Sequence, residues 1–171
     1  MRCSAVFIVL LLALSCCAQT VPSTEAKALD GTDIAFPRDH GKPLILMIGF
    51  SHKSSDDFEQ WNKQALSSYL SASQVDYYEL ADLDGVPSFV RAMILHGMRR
   101  EIHGVEQSHF APLLSGEGDW KKAVNYNPSN NTYIVVADSA GHIIWQTQGV
   151  PAEEKISELK SAVAKLTAVK Q

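Results

Sequence analysis

Two kinds of hydrophobic spacing alternate along this chain. Leu44-Ile-Leu-Met-Ile48 is short and continuously apolar, the pattern of a strand buried on both faces. After the polar stretch 51–57, Phe58, Trp61, Ala65, Leu66, Tyr69 and Leu70 recur at helical spacing. They predict a helix over 58–70 with one core-facing stripe. Ser54 or Ser55 is placed to cap it, and Asp56, Asp57 and Glu59 put negative charge at the positive end of its dipole. A buried strand feeding a helix through a short polar loop is half of a βαβ unit, and open α/β sheets carry chemistry at such loops.

The rest of the chain reads in the same way. Residues 28–36, broken by Asp30-Gly31, predict an entry strand or hairpin, and VDYYEL over 75–80 predicts a second core strand. Pro87 suits the first turn of a helix. Phe89, Val90, Met93, Ile94 and then Met98 or Ile102 recur at helical spacing and predict that helix over 88–100, with Gly97 weakening its end. Residues 101–127 carry apolar side chains but are interrupted by Pro112, Gly116 and Gly118. They read as an insertion with a short helix and irregular structure, either functional or an ordered cover over the sheet edge. Residues 132–137 and 142–147 predict a strand pair around the turn 138–141. Pro151 then opens a final helix through 166, with Ile156, Leu159, Val163 and Leu166 on one face.

Composition bounds the function. The chain has 171 residues, 46% hydrophobic and 20% charged, which suits one globular domain. Its formal net charge of −4 argues against nucleic acid as a main partner. The start is different in character: Arg2, an apolar run over 5–14, then Ser15-Cys16-Cys17-Ala18. This is a signal-peptide pattern, shorter than the roughly 20 apolar residues a membrane span needs. The expected division is a signal peptide over 1–18, a linker over 19–27 and one domain over 28–171. Lipoprotein processing at Cys16 or Cys17 is the competing reading, and only then is the membrane a partner. All three cysteines, Cys3, Cys16 and Cys17, lie in this leader. Cleavage after Ala18 leaves no thiolate for disulfide exchange or peroxide reduction.

Gly49-Phe50-Ser51-His52 leading into a helix resembles the active-site loop of thioredoxin-like proteins, among them redoxins, TlpA-like and Sco-type proteins. The strand, Asp-x-x-Gly turn, strand, glycine and acidic helix start over 132–166 resemble the C-terminal half of the same proteins. The resemblance implies an α/β fold: a thioredoxin-like three-layer α/β/α sandwich with a central mixed sheet. On Sco-like spacing the relatives' two cysteines would fall at Lys53 and Asp57, and neither is a cysteine here. The family's cis-proline position falls at Thr132. The histidine that helps Sco-type proteins hold copper has no counterpart in 127–131, so neither copper nor another cofactor is expected.

Two readings of the loop stay open. In one, His52 is an acid or base, Ser54 or Ser55 a hydrogen-bond donor and Lys53 a contact for an anionic group, with Asp57 nearby. In the other, these residues are a capped helix start, with Lys53 and Asp57 a solvated i,i+4 pair. Arg99, Arg100 and His103 are suited to an anion or an acidic partner surface, or to a solvated basic face. The function expected is a binding or assembly role with a protein partner in the cell envelope, for a periplasmic or secreted thioredoxin-fold protein without redox cysteines. The alternative is a thiol-disulfide oxidoreductase or antioxidant redoxin with an altered, non-cysteine loop. Mass spectrometry of the mature N-terminus separates the export routes: Gln19 at the start marks a soluble product, an acylated cysteine a lipoprotein.

Overall fold

The computed structural model describes residues 19–37, 41–129 and 132–168. Strands β1 (Thr24–Lys27) and β2 (Asp33–Phe36) form an antiparallel hairpin. Strands β3 (Leu44–Gly49), β4 (Asp76–Ala81), β5 (Thr132–Ala137) and β6 (Ile143–Gln148) form a sheet in the order β4-β3-β5-β6. β3 runs parallel to β4 and antiparallel to β5, and β5 is antiparallel to β6, so the sheet is mixed.

The apolar run 44–48 behaves as its composition requires, and every residue of β3 and of β5 is buried. Alternate residues serve opposite cores. Leu44, Leu46 and Ile48 face the hairpin and helix α4 (Glu117–Ala123), whose Trp120 meets Phe36 edge-on with ring centroids 6.0 Å apart. Ile45 and Met47 face helix α1 (Ser54–Trp61) and helix α5 (Glu153–Ala168). Helix α2 (Ser88–Glu101) joins the margin of that second core. Helices therefore lie on both faces of a mixed sheet, the α/β/α arrangement that the resemblance implies. In α5, Leu159 and Val163 are buried, and Ile156 and Leu166 pack beside them as their spacing predicts.

Three expectations change. Residues 24–27, at the end of the expected linker, form β1 instead. Their burial alternates with the two-residue period of a strand, and Lys27 pairs with Asp33 across the hairpin at 2.6 Å. The predicted helix 58–70 is not one α-helix. α1 stops at Trp61, continues as a π turn over Asn62–Leu66 and ends in a 3₁₀ turn over Ser67–Tyr69. The widened turn lets two consecutive residues reach inward. Trp61 donates its indole N–H to the Gly149 carbonyl at 2.8 Å, and Asn62 reaches Glu79.

The predicted stripe of the second helix is split: Phe89 is 78% exposed and Met93 69%, Val90 and Ile94 are half-buried, and Met98 and Ile102 pack against the core. The inward face is Leu95, Met98 and Ile102. Two arginines bracket that face and fix the helix rotation. Arg91 Nη2 donates to the carbonyls of Asp84 and Val86, and Arg99 Nε donates to the Leu29 carbonyl at 3.1 Å.

The insertion 101–127 contains helix α3 (Glu106–His109) and α4. Between them the chain runs alongside β4. Ala111 N–H bonds the Glu79 carbonyl at 2.8 Å, and Leu113 N–H bonds the Ala81 carbonyl at 2.9 Å. The segment is ordered and covers the sheet edge, where it satisfies backbone groups that an open edge strand would expose.

Gly49 sits where only a missing side chain fits. A Cβ there would lie 2.6 Å from Ser54 Cβ and 3.1 Å from the Phe58 ring. Gly49→Ala is expected to destabilise the fold by about 1–3 kcal/mol in chemical denaturation. Gly85→Ala, which meets nothing within 4 Å, is expected to stay near the parent.

Candidate functional site

The loop in question leaves the sheet at the C-terminal end of β3. Thr132 pairs directly with Gly49, is fully buried, and accepts the Gly149 N–H on its carbonyl at 2.7 Å. Its hydroxyl has no hydrogen-bond partner among the described residues. The loop start, Thr132 and Gly149 thus meet at one end of the sheet. The peptide bond before Thr132 involves Asn131, which lies outside the described residues.

The loop serines do not cap the helix. Ser54 N–H bonds the Ser51 carbonyl at 3.0 Å and Ser55 N–H bonds the His52 carbonyl at 3.3 Å. The helical turn therefore begins before the serines and places both inside it. Lys53 takes the capping position with helical backbone angles and no side-chain cap. Ser54 is buried against Gly49, and Ser55 Oγ donates to the His52 carbonyl at 2.6 Å. Lys53 is exposed and Asp57 half-buried, and among the described residues no ion pair joins them. The expected i,i+4 pair is thus absent among the described contacts.

The loop instead forms the rim of a groove. Ser51, His52 and Ser55 line one end of a cavity of about 690 Å³ between α1 and α2. Phe58, Glu59 and Asn62 form one wall and Gly97, Met98, Glu101 and Ile102 the other, with buried Glu79 and Phe110 and exposed Glu106 completing the lining. Lys53, Ser54 and Asp57 are not part of the lining.

The chemistry of the groove centres on Glu79, which is 9% exposed. Its Oε1 accepts the Asn62 side-chain amide at 2.8 Å and the Tyr77 hydroxyl at 3.1 Å. The same hydroxyl lies 2.8 Å from Asn62 Oδ1, so the three side chains form one network. Burial pushes the Glu79 carboxyl above its ordinary value of 4.5, the bonds from Asn62 and Tyr77 oppose the rise, and the charge of Glu106 adds to it. Burial, and then the charge of Glu79, push the Tyr77 hydroxyl well above its ordinary value.

Sequence reasoning did not single out this network, although its signals are present. Val75, Tyr77 and Glu79 share one face of a strand by alternation, which puts an acid on the core side. Asn62 falls on the Phe58–Ala65 stripe of the predicted helix.

The basic group at the end of α2 divides. Arg99 is engaged with the Leu29 carbonyl, while Arg100 and His103 are exposed. Among the described residues, no group of three or more His, Cys, Asp or Glu is disposed to hold a metal, and no helix is long and apolar enough to cross a membrane. The leader with its three cysteines lies outside the described residues.

No protein-family model matches the sequence, and no curated protein does. Solved structures do match the fold. StoA from Bacillus subtilis aligns with a TM-score of 0.56 at 14% identity, covering 81% of this chain and 96% of that one. The exposed lipoprotein thioredoxin Etrx1 of Streptococcus pneumoniae strain TIGR4 aligns at 0.53 and 13%, covering 82% and 98%. DsbF of MTB, solved in mixed oxidized and reduced forms, aligns at 0.53 and 21%, covering 86% and 99%. The fold of this chain is thioredoxin-like.

The raised Glu79 carboxyl gives a pH prediction with a defined sign. Below pH 4.5 the group is protonated folded and unfolded, and its burial costs no charge. As pH rises through the folded value the buried group must ionise, and stability falls. Glu79→Gln keeps an acceptor for Asn62 and Tyr77 without the charge. Thermal unfolding is expected to show the variant more stable than the parent at pH 7, with the gap closing below pH 4.5.

Proposed function

We propose that this chain is an exported thioredoxin-fold protein that binds a protein partner in the cell envelope and performs no thiol chemistry. One observation carries the reading: the loop that opens α1 has Lys53 and Asp57 at the two positions where the resemblance implies cysteines, yet its Ser51, His52 and Ser55 still line a groove of about 690 Å³. A loop of this composition has no nucleophile for disulfide exchange, because the attacking species there is a thiolate. It retains hydrogen-bonding groups beside a partly apolar cleft, which suits recognition. The signal-peptide pattern over residues 1–18 supports the envelope as the place.

The second reading, a redoxin working through a non-cysteine loop, draws on StoA, Etrx1 and DsbF. It makes the opposite forecast in an insulin-reduction or peroxide assay on the mature protein. No turnover is expected, and clear turnover overturns the binding role. Gly97 lines the groove, and a side chain added there meets nothing within 4 Å. Gly97→Gln is expected to keep or slightly raise stability, by up to about 1 kcal/mol for a helix-interior glycine. It should at the same time abolish recovery of the partner that the parent enriches from its native envelope.

A further inference from the structure

We propose that the groove between α1 and α2 recognises a segment of the partner protein through one Lys or Arg side chain, seated on the free oxygen of Glu79. The inference rests on the binding role above and adds the chemistry of what is bound. Three observations support it.

The first is the charge of the lining. Glu59, Glu79, Glu101 and Glu106 all border the cavity, and among the described residues no Lys or Arg does. The second is the state of Glu79 itself. Its side chain is nine-tenths buried, and Oε1 takes both described hydrogen bonds, from Asn62 and Tyr77. Both printed bonds thus fall on one oxygen, and the side chain borders the groove. A carboxylate held this way has one oxygen fixed by its own protein and one left for a visitor. An incoming cationic N–H donor replaces water at that oxygen with a charge-assisted bond. The third is the wall. Phe58, Met98 and their apolar neighbours suit the aliphatic stem of Lys or Arg, which buries its methylenes while its charged head seeks a polar group. A cation–carboxylate bond in this setting is charge-assisted and partly shielded from water, the condition in which such bonds are strongest. A partner bearing an acidic side chain would meet four like charges.

The test uses folded full-length mature protein and two fluorescein-labelled peptides. One carries a single Lys between two Leu, and the other has Gln in place of that Lys. Fluorescence anisotropy measures affinity, and amide shifts of Ser55 and Met98 report where binding occurs. The Lys peptide is expected to bind at least about tenfold more tightly than the Gln peptide. Glu79→Gln is expected to erase that difference, and the double substitution Glu101→Gln with Glu106→Gln to reduce it. The double variant alters two exposed positions and so guards against misfolding of the buried variant. Equal affinity of the two peptides, or a preference for Lys that survives Glu79→Gln, overturns the cation inference and leaves groove binding intact. Absence of any binding or amide shift at Ser55 and Met98 overturns both.

Discussion

The structure depends on one strand having no exposed side. β3 is hydrogen-bonded to β4 along one edge and β5 along the other, and its side chains alternate into two separate cores. Neither core forms without it. Its register with β5 also sets where the functional loop begins, because Gly49 and Thr132 are the last pair. The chain can turn sharply there only because Gly49 leaves room for Ser54 and Phe58. The indole N–H of Trp61 then ties α1 to the Gly149 carbonyl beyond β6. The loop is thereby fixed between two points of the sheet, and its rim residues inherit their positions from the core.

On this frame the protein keeps a charged group where an apolar one would cost less. β4 is otherwise a packed strand, and Leu80 is fully buried. Glu79 interrupts the inward series of Val75 and Tyr77, and it needs Asn62, and through it the π turn, to satisfy its carboxylate. Replacing buried ionic groups by well-packed neutral ones is often neutral or stabilising. The buried acid therefore adds little to folding by itself, and the π turn that brings Asn62 to it is of a kind found often at functional sites. The loop holds no cysteine, and the acidic side chains of the groove, Glu79 among them, lie beside it.

Much of this was legible in the sequence. Strands β3 and β5, the hairpin turn at Asp138–Gly141 and the buried side of α5 follow from apolar runs and spacing. Those signals are local and are set by burial alone. The misses share a different cause. The stripe of Phe89 and Met93 has the right period, but the rotation of α2 is set by Arg91 and Arg99 bonding distant carbonyls, a tertiary effect that periodicity does not contain. The polar residues 24–27 form a strand because a partner strand follows, not because of their own propensity. In the loop, His52 and Ser55 were among the candidates and line the groove, whereas Lys53, Ser54 and Asp57 do not. Glu79 was not, because an acid in a strand reads as solvated until the covering helix is known. The serines were assigned as caps on composition, whereas the backbone turn had already begun at Ser51.

One wall of the groove differs in kind from the other. α1 is anchored by buried Phe58 and Trp61, whereas α2 has no fully buried residue and is held by two arginine tethers and a half-buried margin. Elements with few buried contacts open at low free-energy cost. The cleft therefore has a stiff jaw and a compliant one, and its width is the dimension of the fold that yields most easily.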